Sequence, residues 1–323
     1  MSERNKEERM RVVFVVLLAA ALLPVGGTAQ TEVKKIPAVP QQVHQSGRIR
    51  VFYHTEGQHA VDATDANKSG VSDQVEDVLT QTLAAQTMWV EVLGFPDPFQ
   101  TERFRSAKFL DIHLRHKDLL KSNGVTYDEL QHFNRPGDPK DTVILCFNVA
   151  TSVKAPANLT PAHEFFHVIQ NSVTYVKNSW FTEGTARWSE RALGAGDLGP
   201  VHDLPTWPLA EDKAATVFAM KYDASENFWN PICAKLDPDG TIPASPALQR
   251  LEAMRYTDGT PVLKDLRLTG WKFIREVLDG LAEADDVAFR EFGYDRWSED
   301  NQRSPRNNAF ILGVVEAVMK RRH

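Results

Sequence analysis

The sequence predicts an α+β fold, with a strand-rich N-terminal part followed by a mainly helical C-terminal part. Three observations support this prediction. The chain has 323 residues, of which 42% are hydrophobic, so it can bury a sizeable core. Apolar segments of strand length lie before residue 150. Segments whose apolar residues recur at helical spacing dominate after residue 160.

The first 29 residues have the pattern of an export signal. A basic segment that ends at Arg11 precedes the apolar run Val12 to Leu23, and small residues up to Ala29 complete the pattern. The run has 12 residues, which is too short for a membrane-spanning helix, although an uncleaved anchor is the alternative. We expect cleavage after Ala29, a secreted or periplasmic protein, and no membrane contact after cleavage.

Residues 30–46 are polar and contain prolines, which predicts a leader ahead of a single domain over 47–323. Alternation of side chains from Ile49 to Tyr53 predicts the first strand. After a polar loop, the apolar spacing over residues 74–93 predicts an amphipathic helix.

Two more strands are predicted, from Lys108 to Leu114 and from Thr142 to Asn148. Thr160 and Pro161 form a helix-start signal, because threonine can accept a backbone N–H and proline suits the first helical position. The chain then reads as mostly helical. Helices are predicted over 161–176, 181–193, 246–255, 270–282 and 309–321.

Charge and cysteine content exclude several classes of protein. The formal net charge is −6 and the isoelectric point is about 5.9, so the chain carries no sign of a nucleic-acid surface. Two cysteines, Cys146 and Cys233, are too few for a thiolate metal cluster or a disulfide-dense scaffold. A single disulfide and two buried free thiols both remain open.

The most informative segment of the chain is Ala162-His163-Glu164-Phe165-Phe166-His167. On a helix, His163 and His167 lie one turn apart on the same side, so both imidazoles can bind one metal ion. Glu164 then points beside that ion, where a base can deprotonate a metal-bound water. Two histidines that are merely hydrogen-bonded in a core are the alternative interpretation.

A second helix offers the third protein ligand that a catalytic zinc requires. This helix contains Glu183, and Glu190 two turns later is the rival ligand. Gly184 and Ala186 are small, so we expect them to let this helix approach the first one closely. In the alternative interpretation, Glu183 only pairs with Arg187, four residues further along.

The chain resembles the gluzincin metallopeptidases in two motifs, His163-Glu164-Phe165-Phe166-His167 and Trp180-Phe181-Thr182-Glu183-Gly184-Thr185-Ala186. It is also similar, over about residues 49–235, to a family of secreted bacterial metalloproteases known mainly from myxobacterial genomes. The resemblance implies a zincin-like fold, zinc bound by His163, His167 and Glu183, and Glu164 as the general base. Arg187 stands where the broader clan has an acid, so the partner that orients the first histidine is not identified and exopeptidase activity is not implied.

These residues predict a secreted zinc metallopeptidase that hydrolyses protein or peptide substrates with a zinc-activated water. A further donor should stabilise the oxyanion, and Tyr222, Tyr256 and His202 are the candidates, with Tyr222 preferred. Two alternatives stay open. One is a non-catalytic extracellular protein that binds zinc or calcium, and the other is a zinc amidase that acts on the cell wall.

A calcium site is the second metal prediction, in the polar loop before the first helix. Gly70 takes the glycine position of the calcium-loop template, and the oxygen ligands would come from Asp65, Asn67, Ser69, Asp73 and Glu76. The alternative is a simple turn over 67–70 followed by acidic residues at the start of the next helix.

Overall fold

The structure, a computed structural model, describes residues 41–132, 135, 137–194, 198, 201–202 and 206–322. The predicted signal peptide, residues 1–29, lies outside these ranges and stays a prediction. Within them, every helix is too short or too polar to span a bilayer.

All named strands belong to one open, mixed sheet and lie in the first half of the described chain. Its strands are β1 (Gln42–Ser46), β2 (Ile49–Tyr53), β3 (Phe109–Arg115), β4 (Gly124–Thr126), β5 (Gln131–His132) and β6 (Val143–Ala150). The order is β1-β2-β3-β6-β4, and β5 also pairs with β6. Strands β2, β3 and β6 are parallel, whereas β1, β4 and β5 run antiparallel to their neighbours. Strand β4 therefore lies at an edge of the sheet.

Helices dominate the rest of the described chain. They are α1 (Asp73–Gln86), α2 (Lys117–Leu120), α3 (Thr160–Val173), α4 (Ser179–Ser189), α5 (Glu211–Phe218), α6 (Asn230–Leu236), α7 (Pro246–Ala253), α8 (Trp271–Phe292), α9 (Glu299–Gln302) and α10 (Asn307–Arg322). Two π-helical segments join them: Thr87–Val92 continues α1, and Ser225–Trp229 leads into α6.

The core lies where α1 and α3 contact each other and the sheet. Val51, Ile112 and Phe147 are paired in register across β2, β3 and β6, and all three belong to the main hydrophobic cluster. The side chains one residue earlier on each strand point to the opposite face of the sheet, because side chains alternate along a strand. They include a buried ion pair in which Arg50 Nε donates to Asp111 Oδ1 at 2.7 Å. Both faces of the central sheet are thus covered.

The structure is a mixed α/β fold, and it corrects the predicted segregation of strands from helices. The named strands do all lie before residue 151, but α1 connects β2 to its parallel neighbour β3. Strand β1 lies inside the predicted leader; its residues are mostly exposed, so no apolar pattern revealed it. The predicted helix over 74–93 changes to π-helical geometry at Thr87. Helices α5 and α6 were not predicted because both are short.

A buried carboxyl group ties α8 to the end of α3. Asp285 accepts hydrogen bonds from Thr174 Oγ1 at 2.8 Å and from the Tyr175 amide at 2.7 Å. Burial raises the pKa of Asp285 to about 7, although these two bonds and the nearby Arg103 favour the ionised form. In the folded protein the Asp285 carboxyl is therefore mostly protonated below about pH 7.

We expect this group to make the protein less stable as the pH rises. The folded pKa lies above the unfolded value of about 3.9, so the stabilisation is complete below about pH 4 and is lost as the pH rises through about 7. The loss in the free energy of unfolding should be on the order of a few kcal/mol. Urea unfolding between pH 4 and 8, with a chelator present, should show that Asp285→Asn removes this decline. A difference between wild type and variant that does not change with pH would refute the assignment.

Candidate metal centre

Helix α3 carries the predicted histidine motif, and most of its residues are buried. Pro161 occupies its first turn, and the Thr160 amide donates to Asn158 Oδ1 at 2.9 Å. The prediction that Thr160 caps the helix was wrong. Thr160 is the first residue of α3, and Asn158 Oδ1 accepts the hydrogen bond from its backbone amide. The spacers Phe165 and Phe166 are fully buried, so only one side of α3 reaches the cleft.

His163, His167 and Glu183 come together as predicted. Glu183 Oε2 lies 3.3 Å from His163 Nε2 and 3.5 Å from His167 Nε2. The two imidazole rings are 4.7 Å apart and nearly perpendicular. One ligand atom from each residue lies within 4.8 Å of the other two, and no other such group of three is found among the described residues. Two imidazoles and one carboxylate are a donor set that catalytic zinc uses.

The outer nitrogen of each histidine has a hydrogen-bond acceptor that fixes its tautomer. His163 Nδ1 lies 2.8 Å from Glu190 Oε1, and a carboxylate can only accept. His167 Nδ1 lies 2.6 Å from Gln170 Oε1. The amide of Gln170 is oriented in turn, because its Nε2 donates to the Thr182 carbonyl at 2.9 Å. Both Nδ1 atoms must therefore carry a proton, so the Nε2 atoms are the ones that can hold a cation next to Glu183, either a proton or a metal ion.

The electrostatics of this cluster favour a cation between the Nε2 atoms and Glu183. Burial alone lowers the pKa of His163, but hydrogen bonds with Glu183 and Glu190 outweigh it and raise the pKa to about 9. Burial would raise the pKa of Glu183, yet its bonds to the two histidines hold that pKa well below the usual range. A metal ion and a proton compete for such a position. The residues present therefore fit a divalent ion.

Glu164 is positioned by the edge strand rather than by α3 alone. Thr126 Oγ1, on β4, donates to Glu164 Oε2 at 2.6 Å. Gly124 supplies the space, since a Cβ at this position would overlap the Glu164 carboxylate. Glu164 is 5% exposed and borders the same cleft as His163. The carboxylate is thus held beside the histidine cluster without being one of its three members.

Two residues of α4 and the residue that caps its C-terminus have neighbours that the sequence did not predict. Glu190, the rival for the third ligand, does contact His163, but at Nδ1 and not on the Nε2 side where Glu183 lies. Arg187 pairs with Glu190 and not with Glu183. Gly184 does not serve the approach to α3, because a Cβ there would come within 2.8 Å of Trp229. Glu190 is the partner of the first histidine that the sequence did not identify.

Of the three oxyanion candidates, Tyr222 is the one beside the centre. Its ring centre lies 6.1 Å from that of His163, and it lines the same cleft as His163 and Glu164. Burial and then the charges of Glu183 and Glu164 raise the pKa of Tyr222 to about 12, so the phenol stays protonated as a donor. Tyr256 is buried in the core, where its hydroxyl accepts from Gln81 Nε2 at 3.0 Å. His202 is exposed.

The candidate calcium residues form a loop whose oxygens already have partners. Asp65 accepts from the amides of Ser69 and Gly70, at 3.0 and 2.9 Å. Asn67 turns its amide nitrogen, not its oxygen, toward Glu76 Oε2 at 2.9 Å. Asp73 accepts from the amide of Ala66. The calcium prediction therefore rests on the sequence pattern alone.

Cys146 and Cys233 are both buried and free, which decides the open question about a disulfide. Burial raises the pKa of Cys146 to about 12, so its thiol is unreactive at neutral pH.

Comparison of the chain with protein-family models, curated proteins and solved structures gave no match. The chemistry of the centre therefore has to be argued from its own residues.

The contact between Glu190 and His163 leads to a prediction about metal affinity. We expect Glu190→Ala to bind zinc about 10- to 100-fold more weakly, because losing the Nδ1 acceptor frees the ring and lowers its basicity. Competition with a chromophoric chelator measures the dissociation constant. The matched control is Glu226→Ala, which removes a carboxylate that faces Arg191 at 3.9 Å and should leave the affinity unchanged. Equal affinities for both variants would contradict the role of Glu190.

Proposed function

We propose that this chain is a secreted zinc-dependent metallopeptidase with a zincin-like arrangement. The observation that carries the proposal is the convergence of His163 Nε2, His167 Nε2 and Glu183 Oε2 on one point, with both outer nitrogens held as donors. His163, His167 and Glu183 would hold the ion. Zinc, when bound, supplies Lewis acidity to a water molecule and to a substrate carbonyl.

The chain's own residues would carry the proton and orient the substrate. Glu164, held by Thr126, would take a proton from the attacking water and return it to the leaving amine. The Tyr222 hydroxyl would donate a hydrogen bond to the oxygen that becomes negative. An extended substrate would pair with β4, whose single partner among the described strands is β6, and this would bring the substrate backbone next to Glu164.

Metal content and hydrolysis together test the proposal. We expect about one zinc per chain, and cleavage of unfolded casein that a chelator abolishes and added zinc restores. Mass spectrometry of a denatured proteome would give the cleaved bonds. Zinc binding without cleavage of casein or peptidoglycan would leave the non-catalytic binding protein as the function. Cleavage of peptidoglycan alone would favour the cell-wall amidase.

A further inference from the structure

The cleft beside the histidine cluster is strongly cationic, although the whole chain is acidic. It measures about 950 Å³ and is bordered by His163 and Glu164. Six basic side chains line it: Lys117, Lys121, Arg187, Arg191, Lys221 and Lys264. The two acidic residues in the lining are Glu164 and Glu190, so the cleft has an excess of four positive charges, against a net charge of −6 for the chain. Positive charge is thus concentrated where a substrate would enter.

These six cations differ in whether a carboxylate already neutralises them. Arg187 pairs with Glu190, Arg191 lies 3.9 Å from Glu226, and Lys221 lies 3.8 Å from Glu183. Within the described part of the chain, no carboxylate lies within ion-pair distance of the other three. These three are Lys117, Lys121 and Lys264, and all of them are exposed to solvent. The unpaired charges are therefore available to a ligand.

The unpaired lysines line the cleft from two segments that are remote in sequence. Lys117 and Lys121 belong to α2 and its C-terminal end, just ahead of β4. Lys264 is fixed next to the end of α4, because its amide donates to the Ala192 carbonyl at 3.1 Å. The first amides of α3 do not add anion-binding groups, since Thr160 and Ala162 already donate to Asn158 and Gln81. Recognition would therefore come from side-chain cations.

We infer that the cleft binds a substrate carboxylate, so that the peptidase prefers acidic peptides. This inference rests on the proposed function, because it concerns the substrate of the same centre. The carboxylate can come from an aspartate or glutamate side chain near the cleaved bond, or from the C-terminus of the substrate. A cationic cleft with low-dielectric walls raises the local concentration of such anions, and the effect weakens as salt is added.

Four acetylated ten-residue peptides test the inference. They carry either three Glu or three Gln at the same positions, and each is made with a free and with an amidated C-terminus. Binding is measured by calorimetry with zinc-loaded Glu164→Gln protein, and cleavage with wild type. We expect the Glu peptides to bind about tenfold more tightly at low salt, since each exposed ion pair contributes only a several-fold gain. A preference that survives amidation assigns side-chain carboxylates, whereas a preference for free C-termini assigns the terminal carboxylate.

Lys121→Glu and Lys264→Glu should each reduce the preference to threefold or less and leave binding of the amidated Gln peptide unchanged. Lys235→Glu, an exposed lysine on α6, is the matched control and should have no effect. Equal binding of all four peptides, or a preference that ignores the lysine variants, would overturn the inference. Because binding is measured in a variant that lacks the base, selective binding without wild-type cleavage would refute the peptidase and leave the anion site intact.

Discussion

Glu164→Gln protein is expected to keep its zinc and to lose peptide hydrolysis by about 10²- to 10⁴-fold. Glutamine has the shape of glutamate, so it can still accept the hydrogen bond from Thr126 and fit above Gly124. It cannot take a proton from water at neutral pH. The loss should therefore appear in kcat, with little change in zinc content or in folding.

The matched control is Glu102→Gln, whose side chain is 92% exposed. It removes one negative charge from the surface and should leave hydrolysis at the wild-type level. Rates are compared on the same peptide at equal zinc content. Hydrolysis by Glu164→Gln within a few-fold of wild type would remove Glu164 from the role of general base, even if the metal centre is intact.

The sequence predicted the centre because helical geometry is local. A spacing of four residues places His163 and His167 on one side of α3 wherever that helix packs. Gln170 follows the same rule, since it lies three residues after His167, and so it could have been predicted as its partner. Glu183 was predicted because a catalytic zinc needs a third protein ligand and because the resemblance implies this residue. Its carboxylate lies 3.3 and 3.5 Å from the two histidines, which agrees with that prediction.

Contacts between segments that are remote in sequence were not predictable in the same way. Thr126 meets Glu164 across 38 residues, and nothing in the tripeptide Gly124 to Thr126 marks it as an edge strand. The cationic cleft joins α2 to Lys264, which are remote in sequence and carry no motif. Strand β1 was missed for a related reason, because an exposed edge strand needs no apolar face. Each of these depends on the order of strands in the sheet.

Glu183→Ala protein is expected to bind zinc about 100- to 1000-fold more weakly than wild type. Four-ligand zinc sites gain about 10–16 kcal/mol in binding, so one ligand accounts for roughly 3–4 kcal/mol. His163 and His167 would remain, but a pair of imidazoles without the carboxylate also loses the negative charge that favours a cation between them.

Thermal unfolding with and without zinc measures this loss. At a zinc concentration 100 times the wild-type Kd, wild type should gain about 2.7 kcal/mol, or roughly 5 °C in Tm. The variant should gain about 0.4 kcal/mol or less. Glu190→Ala should fall between the two, because Glu190 contacts only the outer nitrogen of His163. If Glu183→Ala gained as much as wild type while Glu190→Ala gained nothing, Glu190 would be the third ligand and the orientation of His163 would have to be reversed.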